Sequence, residues 1–401
     1  MKKKLLFVIN TLSRAGAETA LMELLKKLNG QEYEIYLYVI TGQGEMIRML
    51  PDSVRLLNPA FSEQSVLNGR GRWELMKKVC QSFVKNGRFM DKLQYVIRNL
   101  ACMVKAKRIQ TDKLFWRVLS DGADRFDLCF DLAMAWIEGG SAYYVADHVR
   151  ARKKAALIHI DYENAGYTKA MDQDCFREFA NIFAVSKETR KHFLNVYPEY
   201  ADKLDVFHNI VDQDLICLKA REKGGFSDGY KGFRILSVGR LTWQKGFDLA
   251  IEAMKLLKDK NCHIRWYVLG EGEQKKALQK KIQILKLEQD FLLLGQVDNP
   301  YPYYAQADLY VHATRYEGKS IAIQEAQTLG CAVIASDCNG NREQIEDGKD
   351  GIMCELTPED IAEKIEELYL SKEKREMLGE AARKKEISHE RQLQLLKGLL
   401  E

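Results

Sequence analysis

The 401-residue sequence has no long hydrophobic run. A membrane-crossing helix needs roughly 20 consecutive, mostly apolar residues, and no window approaches that, so no membrane span is expected. The first residues are also short of apolar length. Lys2-Lys3-Lys4 precedes only Leu5 to Ile9 before Asn10 and Thr11. That is below the roughly 7 to 15 apolar residues in the core of a secretory leader, and no leader is expected. Paired cysteines are lacking too: there are nine, an odd number, and none forms C-x-x-C. The pattern argues for reduced thiols rather than a disulfide frame or a zinc site, and for a cytoplasmic setting. Low-complexity, collagen-like and disordered compositions are absent. Hydrophobic residues at 46% and charged ones at 29% belong to a globular protein, with length for two or three domains at roughly 150 residues each.

Charge of one sign is scarce except in one place. The whole chain carries a net +4. Between Arg70 and Arg117, thirteen lysines and arginines face only Glu74, Asp91 and Asp112, a local +10 that leaves the remainder near −6. Trp73, Phe83, Phe89, Ile97, Leu100 and Trp116 are among the apolar residues interleaved with them, and the segment can be laid on helices with one apolar and one basic side. Such helices dock on an anionic membrane, each basic residue near the surface gaining about 1 kcal/mol, which makes peripheral contact with the inner membrane face one expectation. The plainer alternative is a solvated face of helices packed on a core. Nucleic acid is not indicated, because no helix-turn-helix, RNP or zinc-finger pattern accompanies the charge.

Short apolar runs alternate with helical patterns from end to end. Lys4 to Ile9 leads through Asn10-Thr11-Leu12 into a helix from about Ala17 to Leu28, and Tyr33 to Ile40 follows as a strand. Further strands are predicted at 128–132, 155–160, 182–185 and 204–207, and then at 235–238, 264–269, 291–294, 309–312, 332–335 and 351–354. This alternation predicts α/β architecture, with parallel sheets covered on both faces. It breaks at 212–232, where Arg221-Glu222-Lys223-Gly224-Gly225 and Ser227-Asp228-Gly229 read as a linker. Two doubly wound domains with a cleft between them follow, their ligands lying beyond the carboxyl ends of the strands.

The richest stretch is Arg315-Tyr316-Glu317-Gly318-Lys319-Ser320-Ile321-Ala322-Ile323-Gln324-Glu325. It follows a predicted strand and opens a predicted helix. Gly318, Lys319, Ser320 and Ile321 are therefore expected to present free backbone N–H groups at a positive helix end, where anions and hydroxyl-rich ligands bind. Glu317 before the helix and Glu325 inside it are placed to face a ligand together. The plainer alternative makes Glu317 a capping acid and Glu325 a solvated surface residue. Upstream, Ser237-Val238-Gly239-Arg240 ends a strand and Lys245-Gly246 enters a helix. Arg240 and Lys245 suit a diphosphate, the guanidinium gripping two oxygens and the ammonium acting as a mobile point charge; alone they read as surface cations. Two near-motifs are set aside. Gly318-Lys319-Ser320 lacks the first glycine of a phosphate loop, and Gly270-Glu271-Gly272 lacks the third glycine of a dinucleotide fingerprint.

Glu317-x7-Glu325, Gly239-Arg240-x4-Lys245-Gly246, the loop Arg14-Ala15-Gly16-Ala17-Glu18 and His159-Ile160-Asp161 together resemble the retaining glycosyltransferases of family 4, over essentially the whole chain. The resemblance implies the GT-B fold, two Rossmann-like doubly wound domains facing each other across a cleft. On that frame 1–211 is the acceptor domain with a basic helical insertion at 70–117, 212–232 the linker, 233–385 the nucleotide-sugar domain, and 386–401 a helix crossing back to the N-terminal domain. It implies transfer of a sugar from a nucleoside diphosphate sugar, by family frequency a UDP-sugar, to a glycan or lipid-linked glycan in cell-surface polysaccharide synthesis. Arg240 and Lys245 would bind the diphosphate, Glu325 the ribose, and Glu317 with the amides of Lys319, Ser320 and Ile321 the donor sugar. Val297 would lie against the base, and Gly16 and Gly318 would let backbone approach the donor. His159, beside the reacting carbon, and Asp161 would hold the acceptor. His159, Glu317, Arg240 and Lys245 are thus the implied catalytic set.

Three departures from the family pattern stand out: Ala15 replaces the first of two glycines in the first loop, Lys319 stands where an aromatic residue is common, and Phe207-His208-Asn209-Ile210-Val211-Asp212 lacks the proline and glycine of the family's interdomain segment. A histidine ending a buried strand also has a plainer reading, as a hydrogen-bonded core residue. No metal site is expected. Asp172-Gln173-Asp174 and Asp212-Gln213-Asp214 match D-x-D only as composition allows, His/Cys clusters at ligand spacing are lacking, and no cofactor beyond the sugar nucleotide substrate is implied. Two other activities fit the same residues: a nucleotide-sugar epimerase, which needs no acceptor, and a non-catalytic subunit that binds the donor without turnover.

Overall fold

The computed structural model describes the chain apart from residues 1, 29, 67, 106–109 and 386–389, and only the backbone at 111 and 112. It divides into two compact units, unit 1 being Met1–Ile210 with His389–Glu401 and unit 2 Val211–Ser388. The described strands of unit 1 are β1 Lys3–Ile9, β2 Tyr33–Val39, β3 Val54–Leu56, β4 Cys129–Ala135, β5 Arg150–Ile158, β6 Asn181–Ala184 and β7 Leu204–Val206. They pair in the order β3-β2-β1-β4-β5-β6-β7, with Leu5 beside Ile35 on one side and Leu132 on the other, all parallel. Unit 2 contains β8 Phe233–Val238, β9 Ile264–Leu269, β10 Phe291–Gly295, β11 Leu309–His312, β12 Val333–Ser336 and β13 Ile352–Cys354. Their order is β10-β9-β8-β11-β12-β13. In each sheet the winding reverses once, between β1 and β4 and between β8 and β11, where such sheets open a crevice.

These strands are continuous apolar runs because both faces are covered. Successive side chains point to opposite sides. Ile235, Val311 and Ile334 meet the helices Phe247–Asp259 and Pro358–Leu370, whereas Leu236, Tyr310 and Val333 meet the helix Ile321–Thr328. In unit 1, Leu6, Val8 and Ala135 lie against the helix Gly140–His148. The fully buried Trp266 keeps its polar edge satisfied, Nε1 donating to Ser237 Oγ at 2.9 Å. Truncation of a core tryptophan of this kind costs roughly 3–5 kcal/mol. Several helix starts are capped by a preceding serine or threonine, with Ser186 accepting from Thr189 N at 3.0 Å and Thr357 from Asp360 N at 3.2 Å.

Two expectations change, one strand is added, and one segment lies partly outside the described residues. The short strand β3 has no counterpart in the sequence reading. The 212–232 segment is not simply a linker: Asp212 caps the helix Gln213–Lys219, which packs within unit 2, and the division falls between Ile210 and Val211. The start of the 386–401 segment lies outside the described residues, while the helix Glu390–Leu400 packs within unit 1, where Leu396 and Leu400 line a small hollow of about 140 Å³ with Leu5 and Tyr33. The basic insertion forms the helices Gly69–Val84 and Phe89–Lys105, but its charge is not all on the surface: Lys92 and Arg117 are buried. Lys107 and Arg108 lie outside the described residues.

Candidate functional site

In unit 2 the residues of interest leave the sheet on either side of the winding reversal. The loop after β8 carries Gly239 to Gly246 and the loop after β11 carries Ala313 to Ser320. Backbone and side-chain bonds stitch the two together: Arg315 N donates to Gln244 O at 2.8 Å, Gln244 Nε2 to Tyr316 O at 2.8 Å, and Thr314 Oγ1 to Gln244 O at 3.0 Å. Gly246 is obligatory here. Its φ is +63°, and a Cβ would stand 2.1 Å from the Ala313 carbonyl oxygen; a side chain would fail both on conformation and on space. Arg315 grips Asp248 with both guanidinium nitrogens, at 2.9 and 2.8 Å, while stacking over Trp243.

Across this seam the Lys245 ammonium donates to Glu317 Oε2, the two side chains being only 14% and 15% exposed. His312, the last residue of β11, reaches the same oxygen through Nε2 at 3.3 Å, and its Nδ1 lies 3.0 Å from the Tyr310 hydroxyl. Burial alone would raise the Glu317 carboxyl. The Lys245 ammonium and the His312 bond outweigh it and hold the group well below the usual carboxylate range. Burial and the neighbouring Lys245 lower His312 in turn. A neutral imidazole assigns the protons: Tyr310 O–H to Nδ1, and Nε2–H to Glu317. The plainer sequence reading of Glu317, as a capping acid, does not survive: the helix Ile321–Thr328 has no side-chain cap.

Glu325 is likewise no surface residue. It is 7% exposed and accepts from the Tyr301 hydroxyl at 3.2 Å and the Tyr304 hydroxyl at 3.0 Å. Val297 and Tyr301 are partly buried and pack against the apolar cluster that contains Tyr304. One expectation at the helix start is corrected. Ser320 N is not free, because it donates to Gln344 Oε1 at 2.7 Å while Gln344 Nε2 donates back to Ser320 O at 2.7 Å. The amides of Gly318, Lys319 and Ile321 meet no acceptor among the described residues. A side chain at Gly340 would strike Glu317 O and Gly318 O at 2.4 Å, so that glycine keeps the loop pressed down. Arg240 is exposed and its guanidinium meets no partner among the described residues. Burial lowers the Lys319 ammonium to about 8.

Gly16, His159 and Asp161 lie in unit 1, again beyond the carboxyl ends of strands. Gly16 opens the helix Gly16–Lys27. Trp136, fully buried, joins that helix to the His159 region: its Nε1 donates to Ala17 O at 2.8 Å and its ring packs near the imidazole. Burial pushes His159 down to about 3, partly opposed by a bond to the Trp136 backbone. The ring is therefore neutral at neutral pH, and its buried Nε2 has no partner among the described residues. That leaves a lone pair suited to accepting from a hydroxyl and unsuited to strong base chemistry. Asp161 closes a turn, accepting from Glu163 N at 3.1 Å and from Asn164 Nδ2 at 2.8 Å.

The sequence reading missed two residues. Glu138, 4% exposed, accepts the His159 backbone N–H at 2.9 Å and so fixes that strand end from the neighbouring loop. His312 shares Glu317 with Lys245. The glycines after Glu138 were the only signal for the first, and a histidine ending a strand for the second. Two groups among the described residues bring three potential metal-ligating side chains together, Asp121-Asp147-His148 and Asp161-Glu163-His192. Both are in unit 1, and neither includes a residue of the Lys245–Glu317 cluster. Asp147 already receives Arg117.

Residues 220–385 match the family described as Glycosyl transferases group 1. An N-acetylgalactosamine-N,N'-diacetylbacillosaminyl-diphospho-undecaprenol 4-alpha-N-acetylgalactosaminyltransferase of Campylobacter jejuni is 35% identical over 158 residues, 39% of this chain and 41% of that protein. The poly(glycerol-phosphate) alpha-glucosyltransferase of Bacillus subtilis is 23% identical over 373 residues, 84% of this chain and 52% of that one. The chain thus spans about half, or less, of the length of these relatives. Among solved structures, Anabaena HepE in complex with UDP matches with a TM-score of 0.66 at 17% identity, covering 100% of this chain and 99% of HepE. Staphylococcus aureus TarM, in complex with UDP, alpha-GlcNAc-glycerol and Fondaparinux, matches with a TM-score of 0.68 at 14% identity, covering 100% of both chains. At these identities the likeness is one of fold, and the fold is GT-B.

Proposed function

We propose that this chain, whose fold is GT-B, is a retaining glycosyltransferase that moves a sugar from a UDP-sugar to a glycan or lipid-linked glycan without a metal ion. The observation that carries the proposal is the cluster beyond β8 and β11. There a buried Lys245–Glu317 pair, an unengaged Arg240 guanidinium and unsatisfied amides at Gly318, Lys319 and Ile321 occur together. Two cations and a helix start neutralise a diphosphate in the way a divalent ion otherwise does. The UDP bound in HepE and TarM supports uridine as the base, and the diphospho-undecaprenol in the name of the C. jejuni relative supports a lipid-linked acceptor.

In the proposed reaction the bond from the sugar's anomeric carbon to the β-phosphate oxygen breaks, and the acceptor oxygen bonds to that carbon on the same face. The acceptor's proton passes to the departing phosphate oxygen. Arg240 and Lys245 stabilise the charge that grows on the diphosphate. Glu325 receives the ribose hydroxyls, Val297 flanks the base, and Glu317 and the helix amides orient the sugar. Gly16 allows close approach of the first loop, and His159 accepts from a hydroxyl without taking its proton. Thermal-shift and calorimetric titration with UDP tests the donor site. Charge-assisted bonds of this kind are worth about 1.5–3 kcal/mol, so Arg240→Ala should weaken UDP roughly 10- to 150-fold with the fold unchanged. Unchanged affinity would sink the assignment, and conversion of a UDP-sugar to another UDP-sugar without acceptor would replace transfer by epimerisation.

A further inference from the structure

Two helices of unit 1 carry their apolar residues on the solvent side. Of the fifteen large apolar side chains exposed among the described residues, eight fall between Trp73 and Val104. In the helix Phe89–Lys105 they are Phe89, Met90, Ile97, Leu100 and Val104; Met90, Ile97, Leu100 and Val104, with half-buried Leu93 completing steps of three and four residues, form one stripe. The side turned to the protein carries Lys92, Tyr95, Asn99 and Met103. The helix Gly69–Val84 repeats this, with Trp73, Met76 and Val84 outward and Gly71, Val79 and Ser82 inward. Polar bonds do much of the fastening. The Lys92 ammonium donates to Ser82 O and Lys85 O, both at 2.7 Å, and the Tyr95 hydroxyl to Met171 O at 3.2 Å. Single exposed apolar side chains are ordinary on a protein surface, but a periodic stripe of them marks a contact face.

Charge decides what it contacts. Arg72, Lys77, Arg88, Arg98 and Lys105 are exposed on or beside these helices. Arg72 and Lys105 meet no acid among the described residues, the Lys77 ammonium sits 5.6 Å from the Trp73 ring centre, and Arg98 reaches only the Ala170 carbonyl. A second copy of the chain would set like charges against like. An anionic bilayer would take the stripe into its headgroup boundary and the cations at its phosphates. Among the described residues no helix is long and apolar enough to cross a membrane, so the contact would be peripheral. We propose that this helical pair seats the protein on an anionic lipid surface.

The test uses the full chain and co-sedimentation at low salt with vesicles of phosphatidylcholine alone or mixed equally with phosphatidylglycerol. Wild type should pellet with the mixed vesicles and stay in solution with the neutral ones. The variant Arg72→Glu, Lys77→Glu, Lys105→Glu should lose binding roughly 100-fold, from about fivefold for each cation removed. Trp73→Ser with Ile97→Ser and Val104→Ser, all at exposed positions, should lose it too. Wild type left in solution with mixed vesicles would overturn the proposal, as would a charge variant that pellets like wild type. A wild-type dimer in light scattering that the serine variant disperses would assign the stripe to a second copy and likewise overturn it. The inference is independent of the donor chemistry: a protein that pellets with anionic vesicles yet binds no UDP leaves it standing and defeats the proposed function alone.

Discussion

Glu317→Gln isolates the electrostatics of the donor cluster. The substitution keeps the side chain's volume and leaves an oxygen for Lys245 and His312, but strips the Lys245 ammonium of its counter-charge in a setting where both side chains are about one-seventh exposed. Removing one member of a buried pair costs about 3–5 kcal/mol, and the surviving hydrogen bonds place this case near or below the lower end, at about 2–3 kcal/mol. For a unit of this size each kcal/mol moves the midpoint by about 2–4 °C, so the transition of unit 2 should fall by roughly 4–12 °C. Lys245→Met combined with Glu317→Gln removes both charges and should be less destabilised than Glu317→Gln alone, because no uncompensated charge remains. UDP should sharpen the contrast. Its diphosphate replaces the missing counter-charge, so the ligand-induced shift in Glu317→Gln should equal or exceed that of wild type, while Lys245→Met should lose most of it. Calorimetric melts with and without UDP read all four proteins. A Glu317→Gln midpoint equal to wild type, or a double variant as unstable as the sum of the singles, would refute the reasoning.

Two further outcomes follow from single positions. Gly246→Ala must hold a left-handed conformation that costs about 1–2 kcal/mol and press its Cβ on the Ala313 carbonyl; its urea midpoint should drop and its UDP affinity weaken, and an unchanged midpoint would show that the loop yields freely. His159 has a folded pKa near 3 against an ordinary 6.5, so the unfolded chain binds a proton between those values that the folded chain does not. Stability of unit 1 should therefore decline as pH falls from about 6.5 toward 3, and His159→Gln should flatten the decline, measured by denaturant titration at stepped pH.

Much of the fold was legible because each strand is a short apolar run between helical patterns. Leu309 to His312 and Ile264 to Leu269 were readable to the residue. The edge strand β3 was not, since Val54-Arg55-Leu56 is three residues with one exposed side chain. Spacing showed that Glu317 and Glu325 share a stretch with a helix start, and it paired Arg240 with Lys245 on one loop. What it could not show is which strands become neighbours. That the Gln344 side chain, 24 residues on, would occupy the Ser320 amide depends on tertiary contact, as does Glu138 holding the His159 amide across two strands. Periodicity found the helices of the basic insertion but left open which face they bury. The inward Lys92 and the outward Trp73 are set by packing against unit 1, which a charge count does not register.

In the proposed function the two cations of the Lys245–Glu317 cluster would do different work. Lys245 is already paired and largely buried, and the loop that carries it is held by Gln244, Thr314 and Gly246. A diphosphate arriving there meets a charge whose position has been set in advance, which is the arrangement that favours stabilisation of a transition state over mere capture. Arg240 is exposed and meets no partner among the described residues, so closing on an anion would cost it rotamer freedom of up to about 2 kcal/mol, and in the proposed function it would contribute binding from a wide approach. Glu317 links these roles. By holding Lys245 against its own carboxylate it keeps the ammonium in place while the site is open. On the proposed reading it would also make an incoming phosphate compete for that ammonium, so that a ligand offering more negative charge than one carboxylate, as a diphosphate does, would draw Lys245 away.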